Sequence, residues 1–113
     1  MLIVDDHAPF RARARELLEA EGFVVVGESA DGRSALAAAH ALKVDVVLLD
    51  VQLPDVDGFE VAATLASEVG GPAVVLVSSR DAADFGSVVA ECGAQGFIGK
   101  GELSGSRLRS VLA

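Results

Sequence analysis

Five short apolar runs punctuate the chain: Leu2–Val4, Phe23–Val26, Val46–Leu49, Ala73–Val77 and Gly96–Ile98. They are continuous rather than alternating, and rich in β-branched residues. That pattern predicts strands buried on both faces, as in a parallel sheet. The intervening segments repeat with helical spacing. Phe10, Ala14, Leu17 and Leu18 share one face, as do Ala35, Leu36, Ala39 and Leu42. Val61, Ala62, Leu65, Ala66 and Val69 form a third stripe, and Phe85, Val88, Val89 and Cys92 a fourth. Leu108, Val111 and Leu112 predict a short last helix. Gly22 and Gly70-Gly71 stand where helices should stop, and Asp31 and Asp81 where helices should start as N-caps. Strand followed by helix, five times over, predicts an α/β fold with crossover connections, organised as one domain over residues 1–113.

Open parallel sheets place their sites beyond the carboxyl ends of the strands. Asp5 and Asp6 follow the first run, Asp50 follows the third, Ser78 closes the fourth, and Lys100 lies just past the fifth. Two carboxylates about 4 Å apart repel by roughly 4 kcal/mol at an effective dielectric near 20. A cluster of this kind calls for a proton or a cation, and Mg²⁺ is the hard cation that suits carboxylate and phosphate oxygens together.

Charge and cysteine content narrow the function. The 113 residues carry a formal net charge of −8, and the sequence pI is about 4.5. Gripping nucleic acid or an anionic membrane surface needs clustered Lys and Arg, so neither is expected of this chain. A hydrophobic content of 51% argues for a packed core rather than disorder. Cys92 is the one cysteine, too few for an internal disulfide or a four-ligand zinc site. No apolar run approaches the roughly 20 residues of a membrane span, and the chain opens directly on a strand with no leader-like segment, so a cytoplasmic location is expected.

Taken in order, Val4-Asp5-Asp6-His7, Leu48-Leu49-Asp50-Val51-Gln52-Leu53-Pro54-Asp55-Val56-Asp57-Gly58, Leu76-Val77-Ser78-Ser79 and Gly96-Phe97-Ile98-Gly99-Lys100 resemble the receiver domain of two-component response regulators. The resemblance covers essentially the whole chain. It implies a flavodoxin-like, doubly wound five-stranded parallel sheet, (βα)5, with strand order 2-1-3-4-5. It implies Asp50 as phosphoacceptor, taking phosphate from a phosphohistidine on a sensor histidine kinase. It further implies Mg²⁺ held by Asp6 and Asp50, by Asp5 through water, and by the backbone carbonyl of Gln52. Lys100 would pair first with Asp50 and then with the phosphoryl oxygens. Ser78 would donate its hydroxyl to the phosphoryl group, and Phe97 would be the aromatic switch that follows it. The face of the fourth helix, fifth strand and fifth helix would then control dimerisation or an output partner. Such a switch catalyses its own phosphotransfer and dephosphorylation without turning over free substrates.

Asp5-Asp6-His7-Ala8-Pro9-Phe10-Arg11 is similar to the LuxR/NarL-type subgroup, whose receivers precede a helix-turn-helix output domain; none lies within these residues. Three positions depart from the family pattern or tune it. Gly101 stands where many relatives carry a cis proline, leaving that geometry open. Gln52 and Arg80 occupy positions that border the path of the hydrolytic water. Singly, each site residue has an ordinary reading: an Asp at a strand end as a cap or solvated turn, Lys100 as a surface charge, Ser78 as a loop hydroxyl, Phe97 as core. The combination carries the argument. The main alternative is a phosphate-independent pseudo-receiver, a class that loses acid-cluster residues retained here.

Other signals do not reach a function. The stretch before Lys100 lacks the first Gly and the final Ser or Thr of a phosphate-binding P-loop. Asp55-Val56-Asp57-Gly58 resembles the Asp-x-Asp-Gly signature of haloacid-dehalogenase-like phosphatases, but Pro54 precedes it where that signature follows a strand, so a turn and N-cap are expected. His7 is expected in a loop, His40 in solvent, and Cys92 in the core stripe of its helix as an inert thiol.

Overall fold

In the computed structural model, which describes residues 1–113, five parallel strands alternate with five helices. β1 (Leu2–Val4) leads to α1 (Ala8–Ala20), β2 (Gly27–Ser29) to α2 (Gly32–Leu42), and β3 (Val46–Asp50) to α3 (Gly58–Ala66). β4 (Ala73–Ser78) is followed by a 3-10 turn (Ala82–Phe85) and α4 (Val88–Glu91). β5 (Gly96–Gly99) is followed by a second 3-10 turn (Lys100–Glu102) and α5 (Gly105–Leu112). The strands lie in the order β2-β1-β3-β4-β5, as the family resemblance implies.

The pleat explains the continuous apolar runs. Successive side chains leave a strand on opposite faces, so an unbroken run feeds two cores at once. Leu2, Val4, Val47, Leu49, Val74 and Leu76 pack with residues of α2 and α3 on one side. Ile3, Leu48, Val75, Val77 and Ile98 pack with Phe10, Ala14 and Leu18 of α1 and Leu108 of α5 on the other. Gly22 (φ +94°) and Gly70 (φ +72°) turn the chain in the left-handed region, as glycine permits. Asp31 caps α2 by accepting from Ser34 N–H at 2.8 Å, and Asp57 caps α3 by accepting from Phe59 N–H at 2.8 Å. Asp81 stands at the start of the first 3-10 turn without a capping bond.

Three expectations require correction. The second apolar run, Phe23–Val26, is not the paired strand: β2 is Gly27–Ser29, and its partners on β1 are Leu2, Ile3 and Val4. Only Met1 aligns with the run itself, through Val26 N–H to the Met1 carbonyl and the Met1 ammonium to the Val24 carbonyl, both 2.9 Å. This is the sheet edge, so burial there alternates: Val25 is inside, whereas Val24 and Val26 are exposed. The third helical stripe ends early, since α3 stops at Ala66 and Val69 is fully exposed in the turn to β4. The fourth stripe is broken by Gly86 (φ +68°) into a 3-10 turn carrying Phe85 and a one-turn helix carrying Val88 and Val89, with buried Cys92 at its C-cap.

α3 approaches the end of β3 without room for a side chain. A Cβ on Gly58 would lie 2.4 Å from the Asp50 carbonyl oxygen and 2.6 Å from Val51 Cα, both backbone atoms that cannot give way locally. Gly101 faces open space. In urea unfolding followed by circular dichroism, Gly58→Ala should lower the unfolding free energy by about 2–3 kcal/mol, whereas Gly101→Ala should change it by less than about 0.5 kcal/mol.

Candidate functional site

Register brings the acids together. Val4 pairs with Leu49 and Asp50 with Val77, so β1 and β3 end side by side with their next residues at one sheet edge. Asp5 continues the face of Ile3, and Asp50 that of Leu48, which turns both carboxylates toward α1 and α5. Asp5 is fully buried and Asp50 is 4% exposed, while Asp6 is open to solvent. One carboxylate oxygen from each of the three lies within 4.8 Å of the others.

Lys100 reaches into this cluster from the 3-10 turn after β5. Its Nζ lies 2.6 Å from Asp5 Oδ2 and 3.5 Å from Asp50 Oδ2, and 4.6 Å over the Phe10 ring. Lys100 therefore pairs with Asp50, the partner expected from the sequence, and more closely with Asp5, which was not expected as its partner. Asp5 Oδ2 is buried and receives no well-directed hydrogen bond, so its short contact with the ammonium is an ionic one. Asp5 Oδ1 accepts the His7 N–H at 2.8 Å, and Asp50 Oδ1 accepts the Gln52 N–H at 3.3 Å.

The electrostatics follow from this packing. Burial first, and then the neighbouring Asp5 charge, push the Asp50 carboxyl up from 3.8 to about 6; Lys100 and the Gln52 N–H pull the other way. Three carboxylates against one ammonium leave an excess of negative charge that one divalent cation would balance. The all-oxygen donor set of three carboxylates fits a hard cation such as Mg²⁺.

The cluster opens into a cleft of about 660 Å³. Asp6, Asp50, Gln52 and Lys100 are among its polar lining residues, and Phe10, Leu17 and Leu103 among its apolar ones. Ser78 is placed differently. It is buried at the end of β4 on the same pleat as Leu76, facing α3 and α4, and its Oγ accepts the Arg80 N–H at 3.0 Å. Phe97, opposite Leu76 on β5, emerges on that face too and is half-buried. Phe97 lies 6.1 Å from the Phe85 ring, Phe85 lies 5.4 Å from Phe59, and the Arg80 guanidinium sits 5.5 Å over Phe85. Arg80 thus leans onto Phe85 and toward Asp84 rather than into the acid cleft.

The other singled-out residues have local roles. His7 is the exposed N-cap residue of α1, without a side-chain cap. His40 is exposed but meets Glu68 at 2.7 Å. The bond between Lys100 and Gly101 is trans, as are all others in the chain. Sequence reasoning named Arg11 and Asp55 only within motifs and missed their contacts: Arg11 Nη1 donates to the Asp5 carbonyl at 2.5 Å, and the Asp55 carboxylate accepts from Gly32 N–H (2.8 Å) and Arg33 N–H (3.0 Å) at the start of α2. Those backbone bonds, Gly32 first, hold the Asp55 carboxyl below the usual range.

With this geometry in hand, comparison with known proteins is decisive. The profile of the response regulator receiver domain family matches residues 1–113. The chain belongs to that family. It is 34% identical over 101 residues to the DNA-binding transcriptional activator EvgA of Escherichia coli, covering 89% of this chain and 50% of EvgA. Among solved structures, the signal receiver domain of the response regulator NarL from Mycobacterium tuberculosis superposes with a TM-score of 0.86 at 34% identity, over 99% of this chain and 94% of that one. The CheX–CheY–BeF3–Mg²⁺ complex from Borrelia burgdorferi gives 0.82 at 25% identity, over 98% of this chain and 84% of that one. The chain spans about half the length of the curated relatives it matches. No helix of this receiver domain is long and apolar enough to cross a membrane.

The raised Asp50 carboxyl makes stability depend on pH. An acid held above its unfolded value favours folding while protonated; that contribution is complete below about 3.8 and is lost as pH rises through about 6. In metal-free buffer, Asp50→Asn should therefore be more stable than the parent at pH 8, by on the order of 2 kcal/mol. The gap should close as pH falls from 6 toward 4, when the parent carboxyl takes up its proton. Urea titrations of both proteins across this range check the sign.

Proposed function

We propose that this receiver domain is a Mg²⁺-dependent phosphoacceptor switch that takes a phosphoryl group onto Asp50 from a sensor histidine kinase. The observation that carries the reading is the buried convergence of Asp5 and Asp50 with Asp6 and Lys100 at one sheet edge. With its carboxyl near 6, Asp50 is mostly ionised at neutral pH and competent as a nucleophile. One of its oxygens forms a bond to phosphorus as the bond from phosphorus to the donor imidazole nitrogen breaks, and the imidazole leaves to pick up a proton. Phosphoryl transfer is a matter of alignment and charge neutralisation, which this site supplies through fixed groups. Gln52 N–H anchors one Asp50 oxygen, and Lys100, already between Asp5 and Asp50, swings to the incoming phosphoryl oxygens.

Asp6, Asp50 and the Gln52 carbonyl would hold Mg²⁺, with Asp5 acting through water. When bound, the ion neutralises charge building on the phosphoryl oxygens. A CheY of this fold is known in a complex with BeF3 and Mg²⁺, which supports the same chemistry here.

The phosphorylated Asp50 adds roughly −1.5 to −2 charge. Ser78 exchanges the Arg80 N–H for the phosphoryl oxygens and donates its hydroxyl to them. Phe97 lies diagonally across from Ser78 on the same sheet face, so movement of the β4 end frees space beside it. The surface of α4, β5 and α5 then changes shape, controlling a second copy of the domain or a helix-turn-helix output domain of the LuxR/NarL type. Within this reading the domain binds neither nucleic acid nor membrane directly and works in the cytoplasm.

Incubation with acetyl phosphate and Mg²⁺ should add one acid-labile phosphate, seen as a single mass increment, and Asp50→Asn should abolish it. Uptake at an unchanged rate in Asp50→Asn overturns the assignment, and no uptake by the parent favours a phosphate-independent interaction module. A Mg²⁺ titration followed by NMR should show saturable binding, weakened more than about 10-fold by Asp6→Ala.

A further inference from the structure

Arg11 lies outside the acid cluster yet is bonded to its backbone. Its Nη1 donates to the carbonyl of Asp5, the oxygen of the peptide group that joins Asp5 to Asp6. Its Nε donates to Glu28 Oε1 at 3.1 Å. Glu28 belongs to β2, next to Ser29, whose carbonyl accepts the Asp5 N–H at 3.0 Å. Arg15, one turn further along α1, donates to the other Glu28 oxygen at 3.0 Å and to the Val25 carbonyl at 3.2 Å. Arg15 and then Arg11 hold the Glu28 carboxyl below the usual range. The arginine side chains therefore divide the work. Both fasten the short edge strand to α1, but of the two only Arg11 also grips the acid turn.

The geometry points to Arg11 as a positioning residue that fixes the Asp5–Asp6 turn, and with it the direction of the exposed Asp6 carboxylate, through a clamp whose other jaw is Glu28. This inference rests on the Mg²⁺ site proposed above. The need for a clamp is physical. Asp6 is exposed, and its carboxylate can serve a metal only if the peptide before it is held still. Asp5 is pinned through its N–H by Ser29, through Oδ1 by the His7 N–H, and through Oδ2 by Lys100, which leaves its carbonyl as the remaining free handle. Arg11 takes that handle. A planar guanidinium spans a carbonyl and a carboxylate with separate N–H groups in a fixed fork, whereas a lysine gathers its three donors on one flexible nitrogen and spans them less well. Groups that orient metal ligands without touching the metal commonly cost 10–100-fold in affinity when removed.

The test compares Arg11→Ala, Arg11→Lys and Arg15→Ala with the parent by two measurements. The first is amide exchange in metal-free protein. Arg11→Ala should speed exchange at His7, whose N–H reports on the acid turn, about 10-fold or more, with Arg15→Ala near the parent value. The second is Mg²⁺ affinity by NMR titration, at a temperature where circular dichroism shows all four proteins folded. Arg11→Ala should bind about 10-fold more weakly, Arg11→Lys should recover only part, and Arg15→Ala should match the parent. If Arg15→Ala loses as much affinity as Arg11→Ala, the effect is general loosening of β2 and the clamp is wrong. If Arg11→Ala keeps both parental exchange and parental affinity, the clamp is equally wrong. A parent that fails to bind Mg²⁺ overturns the metal site instead; the exchange measurement then decides alone whether Arg11 holds the turn.

Discussion

Two carboxylates, Asp5 and Asp50, are held out of water at one sheet edge, with a third, Asp6, at the rim and a single lysine between them. Burial and mutual repulsion make this arrangement costly, and the Asp50 carboxyl responds by rising to about 6. The cost is tolerated because the surroundings over-determine the geometry. β1 and β3 are central strands with both faces buried, so the acids at their ends cannot splay apart without disturbing two cores. Local stability is given up at the place where the proposed phosphoryl transfer would add charge.

The same sheet places the acid cluster and the Ser78–Phe97 pair on opposite faces. Asp5, Asp50 and Lys100 face α1 and α5, while Ser78 and Phe97 sit on the pleat facing α3 and α4. In the proposed mechanism Ser78, at the end of β4, links the two through a hydrogen bond. Its buried hydroxyl accepts from Arg80, whose guanidinium lies over Phe85, which in turn neighbours Phe97. In the proposed mechanism a change in the partner of Ser78 would reach Phe97 through Arg80 and Phe85.

Much of this was legible in the sequence because it depends on strand ends. Continuous apolar runs told where strands lie; Asp5, Asp50 and Ser78 follow theirs directly, and Lys100 follows the fifth after Gly99. The edge was harder to read. Phe23–Val26 is the most apolar part of its segment, yet Gly27–Ser29 makes the pairing, because an edge strand is held by backbone bonds and by Arg11 and Arg15 on Glu28 as well as by burial. The break at Gly86 was likewise hidden, since Phe85, Val88, Val89 and Cys92 keep helical spacing across it. The closer pairing of Lys100 with Asp5 depends on side-chain reach across three strands, which no local pattern encodes. Arg11 was visible only as part of a motif; its grip on the Asp5 carbonyl needs α1 to be folded back along β1.

The central claim is that these acids form a cation site poised at Asp50, and crystals grown with Mn²⁺ in place of Mg²⁺ test it most directly. An anomalous difference map should show one strong peak bridging the Asp6 and Asp50 carboxylates, with Lys100 beside it. A map with no peak there, or with its main peak on the scattered surface acids instead, would contradict the account.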